Sequence, residues 1–229
     1  MFKTALIVAC VCLVLQGYVG AGSQAMLARH QPARLAAVDA YWHTGAPPDL
    51  VVFAWPDEAS STNRAAWVWH GARSPWLARD AKGGARGLDQ FAGMLPPVAL
   101  TYWLFRLELL VGLAMALVSW LTWLRVWRRR YDPGALSRRW RKTIVAMTFS
   151  GWLACGVALA YAVFGLFPYA VNGTITLREV AGDVGVGTLL AGLAAYLAFY
   201  GVLLWGFVRL LRHVARYGVV PVARRRGRA

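Results

Sequence analysis

Two pairs of ionisable residues stand out in an otherwise apolar chain. Arg34 and Asp39 lie five positions apart and flank the apolar run Leu35-Ala36-Ala37-Val38. Pro32 suits the first position of a helix, so Gln31–Trp42 is expected to form a short amphipathic helix with Leu35 and Val38 on one side. Two chemistries follow. One is an interfacial helix whose polar edge is solvated, which is the plainer reading. The other is a headgroup site, where a cation and a carboxylate hydrogen-bond the carbonyl and hydroxyl oxygens of an amphiphile and the carboxylate accepts a proton. The second pair, Arg106 and Glu108, interrupts a long apolar stretch. Ionisable groups inside a membrane span are costly and mark candidate functional sites. Two positions on a helix correspond to a rotation of about 200°, so these two side chains are expected to face different partners. Arg106 calls for an acidic group such as a propionate, and Glu108 for a donor, a cation or a metal. The alternative is that both lie close enough to the surface to reach water or headgroups.

The elements that must position these residues are membrane helices. The chain has 229 residues, 59% hydrophobic and 15% charged, with a net charge of +15 and a mean hydropathy of +0.46. A soluble domain carries about 25% charged residues, so disorder, a disulfide scaffold and an ordinary cytosolic enzyme fold are excluded. The spacing of charges predicts an all-α integral membrane four-helix bundle with a long external loop. The expected spans are 1–28, 97–126, 144–168 and 184–208, each long enough for the roughly 20 residues a bilayer requires. Gly187, Ala191 and Ala195 form a small-residue stripe in the fourth, of the kind that lets another helix approach.

Charge placement then orients the spans. The connection 127–143 and the residues beside it are strongly basic, with eight Lys and Arg from Arg125 to Lys142 against the single acid Asp132. The tail 209–229 holds seven Arg and no acid. The segments 29–96 and 169–183 are nearly balanced. By the positive-inside rule the basic segments and both termini are expected in the cytoplasm and the balanced loops outside. Basic blocks at helix ends meet anionic lipid and set topology, so nucleic acid is not an expected partner. Met1–Ala25 also carries marks of a secretory signal peptide, and charge counting alone does not separate that case from a retained helix.

Other chemistry is sparse. Cys10, Cys12 and Cys155 fall in apolar spans and read as packing residues. None of the four histidines (His30, His43, His70, His213) falls in an expected span, and no spacing suggests a metal site. Gly83-Gly84 and Gly87 suggest a flexible stretch in the long loop. Val51–Asp57 reads as a short extended segment ending in a turn.

Taken in series, several motifs resemble the carboxy-terminal part of subunit I of the cytochrome bd-type quinol oxidases. Lys3–Gln16 followed by Ala28–Asp39 resembles the end of that family's sixth helix and the start of its quinol loop. Phe53-Ala54-Trp55-Pro56-Asp57 resembles its Phe-Gly-x-Pro-Asp. Pro96-Pro97-Val98 with Tyr102-Trp103-Leu104-Phe105-Arg106 resembles the start of its seventh helix. Gly151-Trp152 and Gly165-Leu166-Phe167-Pro168-Tyr169 lie where its eighth helix ends in Gly-Arg-Gln-Pro-Trp. The resemblance implies helices six to nine, a retained first helix and a bacterial inner-membrane location. It places the family's quinol-loop Lys and Glu at Arg34 and Asp39, which are then quinol-binding, with ubiquinol or menaquinol as substrate.

It also implies differences. The Met that ligates a low-spin haem b falls at Glu108, the Glu that ligates a high-spin haem b falls at Val163, and the Arg of the eighth-helix run falls at Leu166. The family's first five helices, with their haem-ligating histidines, are absent from the chain. Haem b is therefore expected mainly through partner subunits, a five-helix amino-terminal-half partner and a subunit II-like protein, while the Glu108 carboxylate is itself a group that can ligate iron. Arg106 and Glu108 become intramembrane charges adjacent to such a haem. Two functions follow from the resemblance, a quinol-binding subunit of a divergent or split complex and a haem-free structural paralogue.

Overall fold

A computed structural model describes residues 2–45, 49–73, 85–91, 93–171, 173–180 and 184–217, with side chains not described at 71–73. Gly83, Gly84 and the Arg-rich end of the tail lie outside the described residues. The chain divides into two units, residues 1–180 and 181–229.

In the first unit the central element is α3 (Val98–Val126), against which α1 (Phe2–His30), α2 (Pro32–Val38), α5 (Ser150–Phe164) and β1 (Asp49–Asp57) all pack. It begins immediately after Pro96-Pro97, where the preceding residues lack the N–H groups a helix would need. α4 (Arg138–Met147) is capped by Ser137, whose hydroxyl accepts from the Trp140 backbone N–H at 3.3 Å. A turn at Thr148-Phe149 separates α4 from α5, so the third apolar stretch is two helices rather than one. The second unit contains α7 (Val186–Tyr217), along which none of the described residues is buried and on which Gly187, Ala191 and Ala195 lie. Among the described residues, four helical stretches are long and apolar enough to cross a membrane: Phe2–His30, Val98–Arg129, Arg138–Phe164 and Val186–Tyr217.

Two of these helices outrun the apolar runs that define them and carry two of the histidines near their ends. His30 is the last residue of α1, and His213 lies within α7 with its ring 4.9 Å from Tyr217. The cysteines are free, and only Cys10 is partly buried, against the cluster of Leu6, Val126 and Leu136.

Sheets supplement the helices. β1 pairs antiparallel with β2 (Thr62–Arg73), and a smaller pair, β3 (Tyr169–Val171) with β4 (Ile175–Thr176), precedes the single turn α6 (Leu177–Val180). The extended reading of Val51–Asp57 thus becomes one arm of a hairpin. The long segment closes on itself where residues 41–44 meet 87–89. Leu88 N–H donates to Tyr41 O at 2.9 Å, Asp89 N–H to Trp42 O at 3.1 Å, and Gly87 N–H to the Thr44 hydroxyl at 2.9 Å. Gly87 belongs to this tight contact rather than to a flexible stretch, since a Cβ there would lie 2.6 Å from Thr44 N.

Burial concentrates at the two ends of α3. One end holds Ala36, Ala37, Trp42, Leu88 and Val98 beside Ala40, Ala54 and Tyr102. The other holds Leu6, Val126 and Leu136. Between them the helices expose large apolar side chains such as Leu110 and Leu117, which suits hydrocarbon surroundings and not water.

Candidate functional site

α2 is shorter than expected. It ends at Val38, with Asp39 as its C-cap and Ala40 in the left-handed region at φ 47°. Every residue from Arg34 to Val38 is buried. Arg34 is 8% and Asp39 5% exposed, so the solvated polar edge is overturned. The reason lies in the neighbours: α1, α3 and the short 3₁₀ turn Leu88–Phe91 enclose the helix.

Arg34 turns toward α5. One terminal nitrogen donates to Gln31 Oε1 at 3.1 Å and the other to the Tyr161 carbonyl at 3.1 Å. Its guanidinium carbon sits 3.9 Å from the centre of the Tyr161 ring. Tyr161 lies in the last turn of α5, where its carbonyl already accepts from the Gly165 N–H at 2.9 Å and the helix end carries partial negative charge. The arginine therefore adds a second, charged donor to that carbonyl from a different helix. Gly165 makes room for it, because a Cβ at that position would lie 2.5 Å from Arg34 Nε and 2.8 Å from the Tyr161 carbonyl. Arg34 Nε itself has no hydrogen-bond partner among the described residues.

Glu108 on α3 interacts electrostatically with both Arg34 and Tyr161, although no ion pair joins it to Arg34 among the described residues. The structure so connects one member of each charged pair that the sequence presents separately. α1 adds Gln24, whose side chain faces the Tyr161 hydroxyl. Gln24 Oε1 and that hydroxyl are buried without a partner among the described residues.

The other two predicted residues go elsewhere. Arg106 donates to the Val51 carbonyl of β1 at 3.0 Å, and its guanidinium carbon is 4.5 Å from the Tyr102 ring centre. It holds the hairpin against α3 and does not meet Glu108, in keeping with the rotation between them. No ion pair joins Asp39 to Arg34 among the described residues. Tyr102 completes the attachment of the hairpin by accepting from Ala54 N–H at 2.6 Å, and Asn63 of β2 bonds Trp42 Nε1 at 2.9 Å and the Ala40 carbonyl at 3.1 Å. Tyr161, Gln24 and Asn63 carry no signal in the sequence, being ordinary residues in apolar or polar runs.

The model of the cytochrome bd terminal oxidase subunit I family matches residues 1–219. The chain belongs to that family. A solved structure, the bd oxidase from Geobacillus thermodenitrificans, superposes with a TM-score of 0.72 at 21% identity, covering 95% of this chain and 48% of that one. The fold is thus that of a bd oxidase helical membrane protein, and the chain spans about half the length of that relative. Comparison with curated protein sequences finds no match.

Membership in the bd oxidase family raises the question of haem b. Of the two positions where the resemblance puts haem ligands, Val163 offers no donor atom and is 53% exposed, whereas Glu108 supplies a carboxylate from α3.

Proposed function

We propose that the chain is the quinol-binding membrane subunit of a divergent or split cytochrome bd-like quinol oxidase complex, with haem b held largely by partner subunits. The observation that carries this reading is the burial of Arg34 and Asp39 on and just after a helix that is enclosed by α1, α3 and the turn Leu88–Phe91. Burial sharpens both roles. A guanidinium has five N–H donors, and Arg34 commits one to Gln31 and one to Tyr161, which leaves capacity for the oxygen of an incoming quinol. A buried Asp39 carboxylate is a proton acceptor for the quinol hydroxyl. When a quinol is oxidised it loses two electrons and two protons; the protons leave through groups such as Asp39, and the electrons leave to an acceptor outside this chain. Ubiquinol or menaquinol is the substrate.

In this reading the partners are a five-helix amino-terminal-half protein and a subunit II-like protein. The basic segments support a bacterial inner-membrane location with both termini cytoplasmic. The test is the purified complex: a reduced-minus-oxidised spectrum showing haem b, and quinol oxidation that falls at least about tenfold in Asp39→Asn, in the range general-base loss produces. Unchanged oxidation in both Asp39→Asn and Arg34→Gln counts against the reading.

One observation favours the second reading, a haem-free structural paralogue. Val163, where the resemblance puts a haem-ligating Glu, has no side-chain atom that can bind iron. A complex that assembles without haem absorbance selects this reading.

A further inference from the structure

The hairpin presents a face that neither of the readings above uses. On β1, Ala54 is fully buried, whereas its neighbours Phe53 and Trp55 are 44% and 52% exposed, as expected where successive side chains point to opposite faces. Phe53 is directly opposite Trp67 and Leu50 opposite Trp69, and paired residues share a face. Trp67 and Trp69 are 69% and 64% exposed. Four aromatic residues therefore occupy the outward face of a two-stranded sheet.

The depth of this face follows from what β1 touches. Val51 receives Arg106, Ala54 bonds Tyr102, and Glu58 Oε1 accepts from Ala99 N–H at 2.8 Å. The strand therefore runs alongside the first turns of α3 and does not sit on top of them, with its Leu50–Phe53 end deepest. Trp67 and Trp69 pair with that deepest end. Trp103 lies edge-on to both Phe53 and Trp55, with ring centres 5.5 Å apart in each case, which fixes the aromatic face at its level.

α3 has 29 residues and is about 43 Å long, against a hydrocarbon core of about 30 Å. Centred in the bilayer, it leaves about 7 Å at each end, so the boundary falls near Trp103. The charges agree: the uncharged run Leu109–Leu124 spans about 24 Å, so the boundary cannot lie deeper than the level of Arg106 and Glu108.

We propose that the face formed by Phe53, Trp55, Trp67 and Trp69 is a lipid-binding surface that seats the hairpin in the headgroup–acyl boundary of the bilayer. The residue types suit that layer, where Trp combines an apolar ring with an N–H that headgroups satisfy. Neither the Trp67 nor the Trp69 indole N–H has a hydrogen bond within the described residues. Polar contacts bound the aromatic face at both ends, Arg64 with Asp57 at 2.8 Å near the turn and His70 Nδ1 with Asp49 Oδ2 at 2.8 Å at the deep end. Among the described residues the outer edge of β2 pairs with no further strand, and unpaired N–H and C=O groups are not tolerated in hydrocarbon, so the hairpin stays at the boundary.

The test places nitroxide labels on the full chain in its complex, reconstituted in vesicles of 3:1 phosphatidylethanolamine and phosphatidylglycerol. Cys10, Cys12 and Cys155 are replaced by alanine, and Trp69→Cys, Trp67→Cys and, at the turn, Ala59→Cys are labelled in turn. Collision with oxygen and with a water-soluble nickel complex reports depth. The expected result is nickel accessibility severalfold lower at positions 67 and 69 than at 59, with high oxygen accessibility. Nickel accessibility equal to that of position 59 overturns the proposal, as does shielding from both reagents, which means a protein partner covers the face. Should the labelled variants fail to assemble, quenching by brominated lipid serves instead: Trp67→Phe with Trp69→Phe should lower the quenched fraction of tryptophan emission, and an unchanged fraction overturns the proposal.

Discussion

The two ends of α3 both carry arginines beside aromatic rings, and they use them in opposite ways. At the basic end Arg125 bonds Leu121, four residues away on its own helix, and its guanidinium lies 4.2 Å from the Trp140 ring centre. Arg129 reaches the carbonyl of Ala135, six residues on. At the hairpin end Arg106 bonds a carbonyl 55 residues away and Arg34 one 127 residues away. The first set is local and exposed, and its value to the protein is charge, which orients helices in a membrane. The second set is long-range, with Arg34 buried and Arg106 partly buried, and it joins elements distant in sequence. Arginine content alone therefore says nothing about which job a given arginine performs; the sequence distance to its acceptor does.

The contrast is broken most severely at Arg34. Arg34→Met should cost about 3 kcal/mol, because it removes the charged hydrogen bonds to the Gln31 side chain and the Tyr161 carbonyl. Thermal unfolding of the complex in nanodiscs measures the loss, and quinol oxidation should fall with it. Gly165→Ala tests the same contact from the other side. Its Cβ meets Arg34 Nε and the Tyr161 carbonyl, and overpacking of this kind costs about 1–3 kcal/mol. If Gly165→Ala is as stable as the parent, the docking of Arg34 on α5 is wrong.

Tyr102→Phe removes the hydroxyl that accepts from Ala54 N–H inside the core. An orphaned buried amide costs about 1–2 kcal/mol, and hydrogen exchange should quicken along β1 more than along α3. At the basic end Trp140→Phe removes the indole N–H that donates to Thr122 at 2.8 Å. The effect there should be about 0.5–1 kcal/mol, smaller than either change at Arg34 or Gly165. A larger cost would erase the distinction between the two ends.

The smallest effect is set by pH. Asp57, held by its hydrogen bond from Arg64 and by the Ala59 N–H, has its carboxyl below the ordinary carboxylate range. A lowered folded-state value means that the stabilisation is complete above the unfolded value of about 3.9 and is lost as pH falls through the folded one. Exchange at the hairpin turn should therefore be insensitive to pH above about 5, once the intrinsic rate is corrected, and rise in acid. Asp57→Asn should remove that acid dependence.

Much of the fold is legible in the sequence because hydropathy and charge are local quantities. Pro96-Pro97 marks the start of α3, and the uncharged runs mark four spanning stretches. The break between α4 and α5 is not legible, since Thr148-Phe149-Ser150 contains no proline and the Ser150 hydroxyl bond to the Met147 carbonyl at 2.7 Å forms only after folding. Arg34, Asp39, Arg106 and Glu108 are visible as unusual residues. What they touch is not. The burial of α2 depends on Leu88 and Val98, and the nearness of Arg34 to Glu108 depends on the packing of α2 on α3. A helix with an arginine and an aspartate at its edges looks amphipathic until the elements around it are known.

The meeting of residues 41–44 with 87–89 has a practical consequence. It fastens the base of everything between Gly45 and Arg86, so the span of chain that leaves at Thr44 returns to the same place whatever its length. Doubling a closed loop costs only about 0.6 kcal/mol. Extra sequence threaded into that span, beyond the arms of the hairpin, should leave α2 and α3 in register, and the protein can acquire or shed whole modules there without rebuilding the membrane part beneath.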